Sequence, residues 1–296
     1  MLAPVEEIFC QVDDFCNRFF AETPKKLTGG SSKRNRESSL CASEIITIMM
    51  LFHMSHYRTF KDFYYQCVLR TFRPYFPKLV SYNRFVELQS SIVAPLASFL
   101  MHASGAETNI YIVDSTPLKV CHNRRIQRHR VFSGIAERGK SSMGWFYGFK
   151  LHIVVNHVGE LMSFMLTPGN TDDRKPLKTL FKKLKGLAIG DKGYISEKAK
   201  SELLEHGIDL VTNARKNMKT RILSPLKKFY LSRRRVVETI IDQFKNIYQI
   251  EHTRHRSPTN FLVNLFAGLA AYRWRPNKPA ISTRLLPLQN PVLTSN

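Results

Sequence analysis

Asn109-Ile110-Tyr111-Ile112-Val113-Asp114 is a short run of β-branched and aromatic residues that ends at an acid, which is typical of a strand followed by a polar end. A second run, Leu187-Ala188-Ile189-Gly190, has the composition of a buried strand and ends at Asp191. In α/β sheets, ligands gather at the carboxyl ends of strands. We therefore expect Asp114 and Asp191 to lie in a functional site, although either acid could be only a turn or cap residue.

The segments around these two runs alternate between strand and helix patterns. Strand patterns cover residues 109–113, 146–155, 161–166, 187–190 and 208–211. Helical patterns cover residues 173–184, 196–206, 231–250 and 258–273. The strands 146–155 and 161–166 are close enough in sequence to form a hairpin. This alternation predicts an α/β fold, with a mixed sheet flanked by helices, over residues 107–275.

The first hundred residues show only helical patterns. These patterns cover residues 5–20, 42–70 and 82–103. They predict a small all-α domain over residues 1–104, with a polar, Gly/Ser-rich linker at 23–37. At the other end of the chain, we expect the Pro-rich segment 276–296 to be a flexible tail.

A third carboxylate stands out because of the residues that precede it. Residues 210–237 contain nine Lys and Arg residues and no acid, so that Glu238 is the first carboxylate after a basic run. At about 100° per residue on one continuous helix, Arg234, Glu238 and Lys245 lie within roughly 40° of one another. Such a helix would aim one carboxylate and two cations at the same point. The simpler alternative is a surface ion pair between Arg234 and Glu238, at i and i+4.

Three converging carboxylates, with no Cys and no evident His ligand beside them, suit hard, oxygen-preferring cations such as Mg²⁺ or Mn²⁺. Two such ions, about 3.5–4 Å apart, can clamp the attacking and leaving oxygens of a phosphoryl transfer. We therefore expect Asp114, Asp191 and Glu238 to be catalytic and to hold two metal ions.

The charge of the whole chain favours a polyanionic partner. The 296 residues include 45 Lys and Arg residues against 23 Asp and Glu residues, a formal net charge of +22. Residues 121–150 contribute +6 and residues 210–237 contribute +9, so that two segments supply 15 of these charges. Nucleic acid is the first candidate partner, ahead of an anionic membrane surface and of acidic proteins.

The residues around the three acids resemble the bacterial insertion-sequence transposases of the DDE type. The resemblance rests on the Asp114 strand, on the box Gly190-Asp191-Lys192-Gly193-Tyr194 and on the spacing Arg234-x3-Glu238-x6-Lys245, and it spans about residues 107–270. It implies a catalytic core of ribonuclease-H-like fold. The implied activity is metal-dependent DNA cleavage at the ends of an insertion sequence, followed by strand transfer into target DNA.

The resemblance also implies the roles of single residues. Asp114, Asp191 and Glu238 would be the metal ligands, while Arg234 and Lys245 would hold DNA phosphates or the charge of the transition state. The family pattern has a Tyr three positions before the Arg, whereas this chain has Leu231 there and Tyr230 beside it. All residues expected to contact DNA are Arg124, Arg125, Arg128, Arg130, Lys150, Arg233, Arg234, Arg235 and Lys245.

The expected partners and location follow from the same resemblance. Double-stranded DNA would be bound both as terminal inverted repeats and as target DNA, with the helical domain 1–104 helping to bind the repeats. Because two ends must be held together, we expect a homodimer or a larger synaptic complex. We expect no membrane association and a cytoplasmic location in a bacterium, at the nucleoid.

Several other polar residues remain open candidates. Asp172 or Asp173 is expected to cap the helix over 173–184. Lys150 and His152 alternate on one strand and could face the acids or line an edge of the sheet. His252 and His255 form an H-x-x-H without a third ligand pattern, so that a surface or DNA-facing role is favoured over a metal site.

Other classes of protein fit the sequence less well. The five cysteines are widely spaced and form no C-x-x-C pair, and no G-x-S-x-G elbow is present. The longest strongly apolar run, residues 45–52, is far shorter than the ~20 residues of a membrane span. The N-terminal residues show no secretory signal. Two alternatives remain, namely a nuclease on the same fold and a non-catalytic DNA-binding protein.

Overall fold

A computed structural model of the chain describes residues 5–23, 38–102, 104–214, 222–251 and 255–282. Of the predicted linker 23–37, residues 24–37 lie outside the described residues. The same holds for the predicted tail beyond residue 282 and for His252. Within the described residues, no helix is long and apolar enough to cross a membrane.

The N-terminal third is helical, as predicted. Its α-helices are α1 (Val5–Glu22), α2 (Ala42–Met54), α3 (Phe60–Phe63), α4 (Tyr82–Leu88) and α5 (Val93–His102). A π-helical turn, Tyr64–Val68, follows α3, and a 3-10 turn, Gln89–Ile92, joins α4 to α5. The helical stretches predicted over 42–70 and 82–103 are therefore confirmed, and each of them is divided into shorter helices.

Local hydrogen bonds and backbone angles explain both breaks. After α2, the Ser55 hydroxyl donates to the Phe52 carbonyl. His56 then adopts a φ of 62°, which lies outside the right-handed helical region and so ends the helix. Thr59 then starts α3 by accepting a hydrogen bond from the Asp62 N–H at 3.2 Å. Pro95, in the first turn of α5, has no N–H to donate to the Ser91 carbonyl. An α-helical hydrogen bond therefore cannot form between these two residues, and the segment Gln89–Ile92 adopts a 3-10 turn instead.

Within the part of the chain that the structure describes, six strands form one mixed sheet. They are β1 (Ile110–Cys121), β2 (Glu137–Ser141), β3 (Gly144–Asn156), β4 (Leu161–Pro168), β5 (Gly186–Gly190) and β6 (Ile208–Thr212). The strand order is β2-β3-β1-β5-β6, and β4 also pairs with β3. β5 runs parallel to both β1 and β6, whereas β2 is antiparallel to β3. The mixed α/β sheet is confirmed, and so are the strands predicted at 146–155, 161–166, 187–190 and 208–211.

The sequence patterns missed two features of the sheet. β1 continues to Cys121, so that Asp114 lies within the strand and not at its end. Its parallel pairing with β5 covers only Ile110–Ile112, and Asp114 lies two residues beyond that pairing. β2 lies outside the predicted strands, because its sequence Glu137-Arg138-Gly139-Lys140-Ser141 has no apolar alternation. It forms by backbone pairing with residues 144–148 at the edge of the sheet.

Among its described residues, the C-terminal half contributes five α-helices. They are α6 (Leu177–Leu180), α7 (Glu197–Glu205), α8 (Pro225–Ser232), α9 (Val236–Asp242) and α10 (Pro258–Ala271). Ser196 caps α7 by accepting a hydrogen bond from the Ala199 N–H at 3.2 Å. α6 is much shorter than the predicted helix 173–184. The Asp172 carboxylate accepts from the N–H of Arg174 at 3.0 Å, and the N-cap of α6 is Pro176, so that neither predicted capping acid is correct.

The predicted helix over 231–250 is also divided. α8 ends at Ser232, whose hydroxyl donates to the Phe229 carbonyl at 2.8 Å, and Arg234 lies in the turn before α9. After α9 comes a π-helical turn, Gln243–Ile247, that includes Lys245. Because a π-turn has a wider hydrogen-bond spacing than an α-helix, the expected alignment of Arg234, Glu238 and Lys245 along one helical face does not apply.

Two compact units divide the chain. A helix-rich unit comprises residues 1–104, 117–149 and 241–276. An acid unit, named for the three candidate carboxylates that it contains, comprises residues 105–116, 150–240 and 277–296. These units do not follow the domain boundaries at 104–107 and 275 that the sequence suggested. One reason is that α10 packs on α2 and α5, within the helix-rich unit.

Each unit has its own apolar core. Ile46, Phe63, Phe85 and Leu96 are fully buried in the helix-rich unit. The acid unit packs residues from β1, β3, β4, β5 and β6 with Tyr194 and with residues of α6 and α7. At the start of the predicted tail, the Ile281 N–H donates to the His157 carbonyl at 2.8 Å, so that this part of the segment is held on the acid unit.

Candidate active site

Asp114 is a partly buried acid on β1. Its carboxylate accepts a hydrogen bond from the N–H of Ser115 at 2.8 Å. Burial raises the pKa of the Asp114 carboxyl to about 6, although the Ser115 hydrogen bond and the Arg234 charge act in the opposite direction. The carboxylates of Asp191 and Glu238 also raise this pKa. The three predicted acids therefore lie close enough to one another to interact electrostatically.

Asp191 follows β5 directly, as the sequence predicts. It begins the 3-10 turn Lys192–Tyr194, in which the Tyr194 N–H donates to the Asp191 carbonyl at 3.0 Å. Gly190 permits a close approach here, since a Cβ atom at this position would lie 3.2 Å from the Tyr194 ring and 3.3 Å from Val113 Cγ1. The turn thus places Asp191 beside β1, with Tyr194 packed beneath it.

Glu238 lies in the first turn of α9, where Arg234 connects it to Asp191. One guanidinium nitrogen of Arg234 lies 3.1 Å from Asp191 Oδ1, and the other lies 3.8 Å from Glu238 Oε1. The Arg234 side chain is 20% exposed, whereas those of Asp191 and Glu238 are 46% and 54% exposed. A single partly buried cation therefore bridges two of the three acids.

The carboxylates are the right donors for a hard divalent cation, but their present arrangement is not a closed metal site. Among the described residues, no group of three or more His, Cys, Asp or Glu side chains is arranged to hold an ion. The Arg234 guanidinium lies between two of the expected ligands. The donor chemistry thus fits Mg²⁺ or Mn²⁺, while the space between Asp191 and Glu238 is occupied by protein.

Tyr194 is a buried neighbour of the acids that the sequence patterns did not single out as a site residue. Burial raises its pKa well above 10, and the charges of Asp114, Asp173 and Asp191 act in the same direction. The phenol is therefore neutral at physiological pH. Its place in the box Gly190–Tyr194 was the only sequence signal for it.

Lys150 and His152 face Asp173. Lys150 Nζ donates to Asp173 Oδ1 at 3.0 Å and to the Thr171 carbonyl at 2.8 Å. His152 is fully buried, with Nε2 2.9 Å from the Thr167 hydroxyl and Nδ1 3.9 Å from Asp173 Oδ1. Burial lowers the pKa of His152 to about 4, so that its ring is neutral at pH 7. Lys150, a predicted DNA contact, is thus engaged with protein groups.

Lys245, another predicted DNA contact, is engaged within the helix-rich unit. Its Nζ donates to the Pro117 carbonyl at 2.7 Å and pairs with Glu251 Oε2 at 2.8 Å. The other Glu251 oxygen accepts from the Lys119 N–H at 2.8 Å. Lys245 and Glu251 thereby tie the π-turn to β1, and nothing in the sequence singled out Glu251.

The remaining basic candidates lie mostly on exposed surface. Arg124, Arg125 and Arg128 belong to a 3-10 turn, Asn123–Arg128, and are exposed, as are Arg130 and Arg235. Arg233 lies over the Phe229 ring, with 4.2 Å from its guanidinium carbon to the ring centroid. Residues 215–221, which supply four cations of the second basic segment, lie outside the described residues.

Two other candidates pack against aromatic rings. Tyr230 is a core residue, only 1% exposed, and packs edge-on against Phe229 and His157. The partly exposed His255 packs edge-on against Phe261, and burial lowers its pKa to about 4.

Comparison with known proteins shows what the chain as a whole is similar to. Residues 104–258 match the family model described as "Transposase DDE domain". The chain is similar to a piggyBac transposase in the cryo-EM structure of its synaptic complex with hairpin DNA, with a TM-score of 0.50 and 11% identity. That similarity covers 90% of this chain and 72% of the other, and it supports the ribonuclease-H-like transposase fold. No curated protein sequence matches the chain.

Proposed function

The chain belongs to the DDE transposase family, and we propose that Asp114, Asp191 and Glu238 are its catalytic, metal-binding acids. As a member of this family it is an enzyme of DNA transposition and recombination. The observation that carries the proposal is the mutual influence of the three acids. The Asp191 and Glu238 charges raise the pKa of Asp114, and the Arg234 guanidinium bridges the other two acids.

Membership of the family implies dependence on divalent metal. We propose that the metal is Mg²⁺ or Mn²⁺, that two ions are held, and that Asp114, Asp191 and Glu238 hold them. When bound, such ions supply Lewis-acid charge at the attacking and leaving oxygens of a phosphoryl transfer. An Asp114 carboxyl with a pKa of about 6 is mostly ionised at pH 7, as a metal ligand must be.

The neighbouring side chains hold these acids in place. The neutral phenol of Tyr194 and the apolar core around it exclude water from one side of Asp114. Lys150 neutralises Asp173, which keeps a further acid charge from adding to the site. Arg234 offsets part of the negative charge of the three acids, because it lies within 3.8 Å of two of them.

The substrate in this proposal is double-stranded DNA, as terminal inverted repeats and as target. The net charge of +22 and the exposed arginines of residues 124–130 support contacts with phosphates. The piggyBac structure is a synaptic complex with hairpin DNA, which supports DNA as a partner and a homodimer or larger assembly. We further propose that helices within residues 1–104 bind the repeats, and that the protein acts at the bacterial nucleoid.

Substitution of Glu238 tests the catalytic assignment. Glu238→Gln keeps the size of the side chain but removes a metal-binding charge, so that metal-dependent cleavage of an end-bearing duplex should fall by about a hundredfold or more. Glu205→Gln, on the exposed end of α7, is the matched control and should cleave like the unsubstituted protein. Equal cleavage by the two variants would contradict the assignment, and absence of cleavage by the unsubstituted protein would favour a non-catalytic DNA-binding role.

A further inference from the structure

The Arg234 guanidinium occupies a position where a metal ion would need open carboxylates. It lies 3.1 Å from Asp191 Oδ1 and 3.8 Å from Glu238 Oε1, with only 20% of its side chain exposed. Mg²⁺ holds its oxygen ligands at about 2.0–2.1 Å in near-octahedral geometry, so that the ligand oxygens of one ion must come close together. A guanidinium group inserted between the two carboxylates prevents that approach.

The charges of the site favour the same arrangement. Asp191 and Glu238 each have a carboxylate oxygen within 3.8 Å of an Arg234 nitrogen, and Asp114 lies close enough to interact with the same charges. Arg234 is therefore the cation that offsets the repulsion among these acids. A guanidinium fork suits this role because its nitrogens can reach two carboxylates at once, which a lysine ammonium does less well.

We propose that Arg234 is the counter-cation of the metal-free site, and that divalent metal binds only by displacing its guanidinium from between Asp191 and Glu238. This inference rests on the proposed function, because it takes the three acids to be the metal ligands. Its consequence is a competition, since the free energy of the Arg234 contacts must be given up before the metal can bind. The metal affinity of the free protein is therefore lower than the acids alone would give.

Mn²⁺ binding to the full-length protein, followed by the EPR signal of free Mn²⁺, measures this competition without any DNA or catalysis. Arg234→Gln should bind Mn²⁺ about tenfold more tightly than the unsubstituted protein, a change of about 1.4 kcal/mol. Arg235→Gln removes the same charge from the next, exposed residue and should leave the affinity unchanged. Arg234→Lys keeps the charge but loses the fork, so that its affinity should also rise, although by less.

Thermal unfolding gives a second readout of the same competition. In EDTA, Arg234→Gln should unfold at a lower temperature than the unsubstituted protein, because its acids have lost their counter-cation. Saturating Mn²⁺ should remove most of that difference. Arg234→Lys covers the case in which the Gln variant does not fold in EDTA.

The outcomes separate the inference from the function on which it rests. If Asp191→Asn abolishes Mn²⁺ binding but Arg234→Gln and Arg234→Lys bind no more tightly than the unsubstituted protein, the acids are ligands and the competition is refuted. A rise in affinity with Gln but none with Lys would also refute it, since charge alone would then explain the gain. If Asp191→Asn leaves Mn²⁺ binding unchanged in every background, the proposed metal site itself fails.

Discussion

At the scale of single residues, the acid unit combines charged carboxylates with polar groups that are kept neutral. Burial raises the pKa of Asp114 to about 6, so that its carboxyl is mostly ionised at pH 7. Tyr194 and His152 are neutral at that pH because burial moves their pKa values in opposite directions, upward for the phenol and downward for the imidazole. Neutral neighbours leave the acids and Arg234 as the main charges of the site.

The buried His152 gives a prediction about stability and pH. Its pKa falls from 6.5 in an exposed setting to about 4 in the fold, so that the unfolded chain takes up a proton before the folded chain does. The stability that depends on neutral His152 is therefore fully present above pH 6.5 and is lost as the pH falls toward 4. The shift corresponds to about 3 kcal/mol over that range.

Urea unfolding between pH 4 and 7 measures this contribution. The free energy of unfolding of His152→Gln should fall less steeply with decreasing pH than that of the unsubstituted protein. His206→Gln, at an exposed position after α7, should keep the original slope. Parallel pH profiles for all three proteins would show that His152 does not titrate as a buried group.

At the scale of elements, the turn between β5 and α7 depends on how closely β1 approaches it. A Cβ atom at Gly190 would contact the Tyr194 ring at 3.2 Å and Val113 at 3.3 Å, whereas one at Gly193 would meet nothing within 4 Å. Gly190→Ala should therefore destabilise the protein by about 1–3 kcal/mol through overpacking.

Chemical denaturation checks this prediction with a matched pair of variants. Gly193→Ala lies in the same exposed turn and should change the free energy of unfolding by no more than about 0.5 kcal/mol. Equal stability of the two variants would mean that the contacts at Gly190 relax without cost.

The same elements show which features the sequence could predict. The strands within 187–190 and 208–211 are predictable from their own residue types, and Ser196 is a residue type that favours the start of a helix, here α7. The breaks at His56 and Pro95 and the π-turn at Gln243–Ile247 interrupt patterns that otherwise continue, so that periodicity alone overlooks them. β2 forms because β3 offers it an edge, not because its own charged residues favour a strand.

In the candidate site, too, some features were predictable from the local sequence and others were not. The acids and the pair of Arg234 with Glu238 were predictable from composition and from their i,i+4 spacing. The contacts of Arg234 with Asp191 and of Lys150 with Asp173 join residues that are far apart in the chain. Such contacts depend on tertiary packing, and no local pattern encodes them.

At the scale of the whole molecule, the net charge of +22 has a distinct distribution. Residues 121–150 and 210–237 supply 15 of these charges, and in the first segment Arg124, Arg125, Arg128 and Arg130 are exposed. Lys150, Arg234 and Lys245 instead contact protein groups. Surface cations can attract a polyanion, whereas these three residues are paired with acids of the protein itself.

The most direct test of a DDE transposase with these three acids is strand transfer. Full-length protein, Mg²⁺ and a duplex carrying the terminal sequence that flanks its gene are incubated with a plasmid, and joined products are counted. The account predicts metal-dependent joining by the unsubstituted protein and by Glu205→Gln, and none by Asp114→Asn, Asp191→Asn or Glu238→Gln. Cleavage without joined products would indicate a nuclease, and joining by any of the three acid variants would contradict the assignment of its acid.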